Sequence, residues 1–251
     1  MSFAYKISGW NRQRKWKLFL AEVQPTANTT VLDLGFSEQE YSDTDNFLEK
    51  HYPYEEQITA LCIEIPDIYL SSRKDSDFKV PEEAILRKKN ESSERYPHLK
   101  IVNYDGKIFP FDNQTFDVCW SNAVLEHVGN EEEQILFLKE IKRVAKKAFI
   151  TTPNKYFPVE LHTRTPLLHF LPKKIFDRYL HSVGKGWAAN DYMYLLSIWD
   201  LHKRLRAAGI TNYKIIKNRL LSFVMDFVII FEADQNSEKE SIAQSVSRSH
   251  S

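Results

Sequence analysis

Several strand-like runs in this chain end on residues that can hold a ligand or work on one. VLDLG ends on Asp33 and Gly35, and ITALCIEIP carries Glu64. LKIVNYDG ends near Asp105 and Gly106, TFDVCWSN on Ser121 and Asn122, and KAFITTPN on Pro153 and Asn154. In an open α/β sheet, ligands bind outside the carboxyl ends of the strands, near the switch point. An acid closing the second strand is placed to accept hydrogen bonds from a ribose diol, so Glu64 points to a nucleoside. His127 follows strand four and His162 lies in the segment after strand five. An imidazole titrates near neutrality, which suits either histidine to act as a general base. Tyr156 and Glu160 are placed to line the same pocket. Each residue also has a plainer use: Asp33 as a turn cap, Glu64 as a loop-edge acid, Asp105 in an Asx turn before Gly106, and the histidines as packing or solvated groups.

The turn after the first strand narrows the choice of nucleoside. A dinucleotide requires a G-x-G-x-x-G loop, because a pyrophosphate must approach bare backbone at a helix N-terminus. Here Gly35 is followed by Phe36, Ser37, Glu38 and Gln39, with Glu40, Asp43 and Asp45 close behind. Those acids would repel a pyrophosphate but tolerate a cationic ligand that carries no phosphate. S-adenosylmethionine is such a ligand. No Walker lysine follows, which argues against a nucleoside triphosphate.

The elements that position these residues follow from periodicity. Asn11–Val23 predicts a helix before the first strand, ended by Pro25. Ser42, Asp43, Thr44 and Asp45 are N-cap candidates that predict a helix start. Asp67–Pro97 is polar and charged, with one helical piece around Glu82–Lys89. EEEQILFLKEIKRVA places Ile135, Leu138, Ile141 and Val144 at helical spacing, and Ile198–Ala208 is a helix stopped by Gly209. NYKIIKN and DFVIIFEA close the chain as two strands. Alternation of this kind predicts an α/β, Rossmann-like, doubly wound sheet of seven mostly parallel strands, with an antiparallel last strand and a lid insertion after strand five. One domain is expected over residues 1–233, with an N-terminal helix over 8–24 and a lid over 155–197. The polar, Ser-rich residues 234–251 are expected to be disordered.

Composition excludes other classes. The chain has 251 residues, is 43% hydrophobic, and carries 34 basic and 34 acidic residues, so no global basic field favours nucleic acid. Cys62 and Cys119 sit inside apolar runs and are expected as reduced core residues, with no metal site predicted. No spanning segment or signal-peptide stretch is found, which predicts a cytoplasmic location. From Lys155 through the stretch 156–187, Lys155, Arg164, Lys173, Lys174, Arg178 and Lys185 outnumber the acids Glu160 and Asp177. That excess suits an acidic substrate, a membrane surface carrying a lipid-linked one, or a solvated face.

From Ser8 to Ala233 the sequence resembles the class I S-adenosylmethionine-dependent methyltransferases, in the broad group that acts on small molecules, lipids and glycans. VLDLG resembles the family's first motif, IE at Glu64 its ribose-binding acid, and YDGKIFPFDNQTFDV its D-A-x-x-L-P-F stretch. SNAVLEHVGN resembles the segment after strand four, and TTPNKYFPVELHTRTPLLHFLP one that follows strand five in some members. The resemblance implies that Asp33, Gly35, Glu64 and Asn122 hold the cofactor, with Asp105 and Gly106 beside the adenine. It departs where Ser37 and Gln39 replace the second and third glycines; Ser37 is small enough to leave room for the methionine end. The implied activity is methyl transfer to a small-molecule, sugar or lipid-linked glycan acceptor. The altered loop also admits a catalytically silent binding or scaffold module. Family members that methylate base amino groups carry [DN]-P-P-[YFW] where this chain has SNAV, so a nucleic-acid substrate is not expected.

Overall fold

A computed structural model describes residues 3–37, 40, 45–63, 95–189 and 193–233. Glu38, Gln39, Ser42, Asp43, Thr44, Glu64, the helix expected around Glu82–Lys89 and the tail 234–251 lie outside the described residues.

The expected sheet is present. Its strands are β1 (Val31–Asp33), β2 (Ile58–Ile63), β3 (Lys100–Tyr104), β4 (Phe116–Asn122), β5 (Ala145–Pro153), β8 (Tyr213–Leu220) and β9 (Phe223–Glu232). A separate hairpin pairs β6 (Val159–Glu160) with β7 (Thr165–Pro166). The seven-stranded order is β3-β2-β1-β4-β5-β9-β8. Pairings from β3 through β5 are parallel, and β9 runs antiparallel to both β5 and β8. Strand order reverses beside β1, which pairs with β2 on one side and β4 on the other, so the switch point lies at the ends of β1 and β4.

Central strands of a parallel sheet are buried on both faces and need continuous apolar runs. VLD and the middle of β5 meet that need. On one face, α1 (Phe3–Val23) and α2 (Phe47–His51) pack Trp16, Phe19, Phe47 and Leu48 against Trp120 and Phe149. Phe19 meets Trp120 edge-on with ring centroids 4.9 Å apart, and Trp120 stacks on Phe149 at 5.2 Å. On the other face, α3 (Glu131–Val144) and α5 (Ile198–Ala207) contribute Leu138, Ile141, Leu201 and Leu205 to the larger core.

Two boundaries differ from the sequence reading. Helix α1 starts at Phe3, well before Asn11. Helix α2 starts at Phe47, not in the Ser42–Asp45 cluster, because its cap position belongs to Asn46, whose left-handed backbone (φ 48°) turns its amide back onto the preceding loop.

Helix α3 carries the clearest local stop-and-start signal. Asn130 accepts from the backbone N–H groups of Glu132 and Glu133, and the Glu133 carboxylate accepts from the Asn130 N–H at 2.8 Å. Gly129, at φ 115°, leads into this box, and a Cβ there would lie 2.1 Å from Glu133 Oε2. Gly129→Ala is therefore expected to expel the Glu133 side chain and strain the backbone. The cost should be about 2 kcal/mol in a denaturant titration.

The segment between β5 and α5 holds the β6–β7 hairpin and α4 (Lys173–Ser182), which packs Phe176 and Leu180 on Ala188 and Ala189 as a small core of its own.

Candidate active site

Two cavities meet at the switch point. The first, about 220 Å³, is lined by Asp33, Gly35, Ser37, Glu49, Trp120 and others. The second, about 150 Å³, includes Lys15, Thr151, Thr152, His162 and Asp226. Arg12 and Asn122 line both. The structure thus brings Asp33, Gly35, Ser37 and Asn122 to one cavity and His162 to its neighbour.

Helix α1 supplies one wall of the second cavity. Ser8, Asn11, Arg12 and Lys15 recur at i, i+3, i+4 and i+7, which makes a polar stripe on one face. Lys15 is buried, which lowers its pKa, and donates to Asn122 Oδ1 at 2.7 Å. Thr151 donates to the same oxygen at 2.8 Å, so the end of β4 is tied to both α1 and β5. Asn11 and Asn218 donate to the buried Asp226 at 2.6 and 2.8 Å. None of Arg12, Lys15 or Asp226 is singled out by motif; the spacing of the polar stripe on α1 is the signal that marks the first two.

The loop after β1 is held without its usual glycines. Asn46 accepts from the Ser37 N–H at 3.0 Å and donates to the Ser37 carbonyl at 2.8 Å. It also donates to Glu40, which accepts from Tyr96 at 2.6 Å and pairs with Lys50 at 3.0 Å. A side-chain amide bonded to both backbone groups of Ser37 fixes the turn that glycine φ freedom otherwise provides. At Gly35 an added Cβ would lie 3.5 Å from Val124 and 3.8 Å from the Asn122 carbonyl, so the backbone there runs close along the cavity wall.

A pair of acids faces the first cavity. Asp33 and Glu49 are buried and hydrogen-bond each other. Burial pushes Asp33 up to about 6, against the pull of its hydrogen bonds, and burial together with the Asp33 charge holds Glu49 well above the usual carboxylate range. Glu49 Oε1 has no hydrogen-bond partner among the described residues. Raised acids stabilise the fold below their unfolded values, and this contribution is lost as pH climbs through the folded ones. Glu49→Gln is therefore expected to raise the melting temperature by about 3 °C at weakly alkaline pH. The gain should shrink toward acidic pH, as a fluorimetric melt across both conditions would show.

The two histidines meet. Ala123, at φ 59°, turns the chain out of β4 into a 3-10 turn, Leu125–His127. His127 Nε2 lies 3.0 Å from His162 Nε2. His162 Nδ1 sits 2.9 Å from Glu160 Oε1, and Thr163 donates to Glu160 Oε2 through N–H and hydroxyl at 2.5 Å each. Burial works against the Glu160 charge, but the bonds from His162 and Thr163 outweigh it and bring Glu160 down to about 2. Burial likewise lowers His162, yet the Glu160 bond and the nearby acids leave its pKa raised.

Asp105 and Gly106 stand apart from both cavities, exposed on the loop after β3. Asp105 Oδ1 accepts from the N–H of Lys107 at 2.9 Å and of Ile108 at 3.3 Å, which is the Asx turn that its sequence allowed. Those bonds hold its pKa low. Tyr156 is exposed.

Residues 77–148 match a family described as Methyltransferase domain. The sheet order together with this match gives the chain the fold of the class I S-adenosylmethionine-dependent methyltransferases. The methyltransferase fold extends beyond the matched residues. The CurJ carbon methyltransferase is 14% identical over 90% of this chain and 54% of its own, with a TM-score of 0.51. The S-adenosylmethionine-dependent methyltransferase SibL, in its apo form, is 12% identical over 91% of this chain and 57% of its own, also at 0.51. A methyltransferase from Methanosarcina mazei is 16% identical over 84% of this chain and 95% of its own, at 0.48. The chain spans just over half the length of CurJ and SibL. No curated protein matches it in sequence. S-adenosylmethionine is the cofactor of this methyltransferase class, and the first cavity fits its amino-acid end: a buried acid pair to face an ammonium, a guanidinium to face a carboxylate, and bare backbone at Gly35.

Proposed function

We propose that the chain transfers a methyl group from S-adenosylmethionine to a hydroxylated acceptor, and that this acceptor is a lipid-linked glycan rather than a soluble sugar or small molecule. The meeting of two cavities at Arg12 and Asn122 carries the reading, since methyl transfer needs donor and acceptor in line across one shared wall. The cofactor supplies an activated methyl on a sulfonium. Asp33 and Glu49 take its ammonium, Arg12 its carboxylate, and Ser37 and Asn122 border the reacting end. Glu64, next after Ile63 in the sequence, takes the ribose diol, and Asp105 and Gly106, outside both cavities, flank the adenine beyond them.

In the second cavity, Asn11, Lys15, Thr151 and Asp226 offer donors and acceptors to a polyhydroxylated group. His162 keeps its Nδ1 proton on Glu160 and receives the acceptor proton at Nε2, with His127 beside it as a relay. Exposed Leu167, Phe170, Leu171, Ile175 and Trp187 lie near Lys173, Lys174 and Arg178, which suits contact with an anionic lipid surface. No helix among the described residues is long and apolar enough to cross a membrane.

The test supplies methyl-tritiated S-adenosylmethionine and, in parallel, small metabolites, soluble polysaccharide, and lipid-linked glycans in anionic vesicles. Label in the lipid-linked fraction is expected. Label in a soluble fraction would move the acceptor to that class. No label in any fraction, with cofactor bound, would favour the silent binding module.

A further inference from the structure

We propose that Glu126, His127 and His162 form a site for one first-row divalent transition metal, of the class of Zn²⁺, at the wall of the second cavity. Three potential ligand atoms converge there. His127 Nε2 and His162 Nε2 are 3.0 Å apart, and Glu126 Oε1 lies 3.7 Å from His162 Nε2 and 3.9 Å from His127 Nε2. The circle through these three atoms has a radius of about 2.1 Å, the length of a zinc–nitrogen or zinc–oxygen bond. A single ion near its centre lies within bonding distance of all three atoms.

Glu126 gives an independent reason. It is fully buried, and its Oε2 accepts from the Thr152 hydroxyl at 2.9 Å. Its Oε1 is also buried and has no hydrogen-bond partner among the described residues. A buried carboxyl oxygen left without a donor costs free energy unless something cationic meets it. That oxygen is the one aimed at the two imidazoles.

The outer partners are in place as well. Glu160 holds the Nδ1 side of His162, which leaves Nε2 as the nitrogen that can offer a lone pair to an ion. A carboxylate behind a ligating histidine fixes its tautomer and raises its basicity. Thr152 does the corresponding work behind Glu126. An ion entering the site replaces the hydrogen that the two Nε2 atoms share. His127 then carries its proton on Nδ1, and both Nε2 atoms turn lone pairs to the metal. Two imidazoles and one carboxylate favour zinc, cobalt, iron(II) or manganese over the all-oxygen sites of magnesium and calcium.

His162 also lines the second cavity, so the open coordination positions adjoin the acceptor. With the ion bound, His162 Nε2 is a ligand and no longer the proton acceptor, so the ion would acidify the acceptor hydroxyl in place of that base. This use rests on the methyl-transfer reading; the metal site itself does not.

The experiment strips the full chain with a chelator. It then titrates Zn²⁺ by calorimetry and Co²⁺ by visible absorption, with Mg²⁺ as the control. One equivalent of Zn²⁺ should bind, Co²⁺ should give ligand-field bands, and Mg²⁺ should do neither. Glu160→Gln should weaken Zn²⁺ by about 10–100-fold, and Glu126→Gln and His162→Gln by more. Each variant is checked for folding by circular dichroism and for S-adenosylmethionine binding. No Zn²⁺ binding by the folded chain would overturn the proposal. Binding left unchanged in Glu126→Gln and His162→Gln would overturn it too, since the ion would then sit elsewhere. Metal loss with cofactor binding retained refutes the site alone, and metal binding without cofactor binding refutes the methyltransferase reading alone.

Discussion

Replacing Arg12 with glutamate should weaken S-adenosylmethionine binding by at least about 100-fold, the scale of losing one partner of a desolvated charge pair. Arg12 lines both cavities and lies 3.6 Å from Asp45 in the described structure. It faces a wall that otherwise carries Asp33, Asp45 and Glu49. With glutamate in its place no cation remains among the described residues that line the first cavity, and the carboxylate of the ligand meets Asp33, Asp45 and Glu49. Burial lowers the Arg12 pKa from its usual value, but a guanidinium remains charged at any working pH. The side chain lies outside the aromatic core of α1 but pairs with Asp45 among three acids, so a melt of the variant accompanies the titration. Affinity for S-adenosylhomocysteine should fall in parallel, because the two ligands share the amino-acid end. A titration showing unchanged affinity would place that end elsewhere.

Arg143→Ala should lower the melting temperature by about 6–12 °C, from about 3 kcal/mol of lost stability. Arg143 pairs with Glu140 through both carboxylate oxygens, at 2.9 and 2.6 Å, and donates to the carbonyls of Phe109 and Phe111 at 2.8 and 2.6 Å. The Glu140 bond raises its pKa further. Glu140 is buried and also accepts from the Phe109 N–H at 2.8 Å. Alanine would leave that carboxylate with no cation and free the two carbonyls. The loop it anchors carries Asp105, Gly106 and the buried Phe109. Arg143→Lys keeps a charge but not the planar fork, so its loss should be intermediate. A melt within about 2 °C of the unaltered chain would show that the loop is held by Phe109 packing instead.

Much of the fold was legible because its signals are local. Continuous apolar runs in β1 and β5, alternation with helices, and the heptad-like spacing of Leu138 and Ile141 each need only a short window. From that sheet the switch-point rule led to Asp33, Gly35 and Asn122, which do line one cavity. The rest depends on contacts distant in sequence. Glu49 looks like an ordinary helical acid until the fold sets it against Asp33. Asn46 looks like one more N-cap candidate, yet its amide closes the loop on Ser37. Glu126 and His162 are far apart in the chain, and no metal was expected because no short ligand spacing joins them. The start of α2 was misplaced for a similar reason: the acids before it suggested caps, while Asn46 occupies that position. Arg12 and Lys15 were within reach, since their helical spacing with Ser8 and Asn11 marks a polar stripe on a helix whose other face is aromatic.

Calorimetric titration of the folded chain with S-adenosylmethionine, and with S-adenosylhomocysteine beside it, tests the central claim most directly. Affinities on the order of micromolar, lost in Arg12→Glu and weakened in Asp33→Ala, are the expected result. No heat of binding at millimolar ligand, from a chain whose melt shows it folded, would contradict the account.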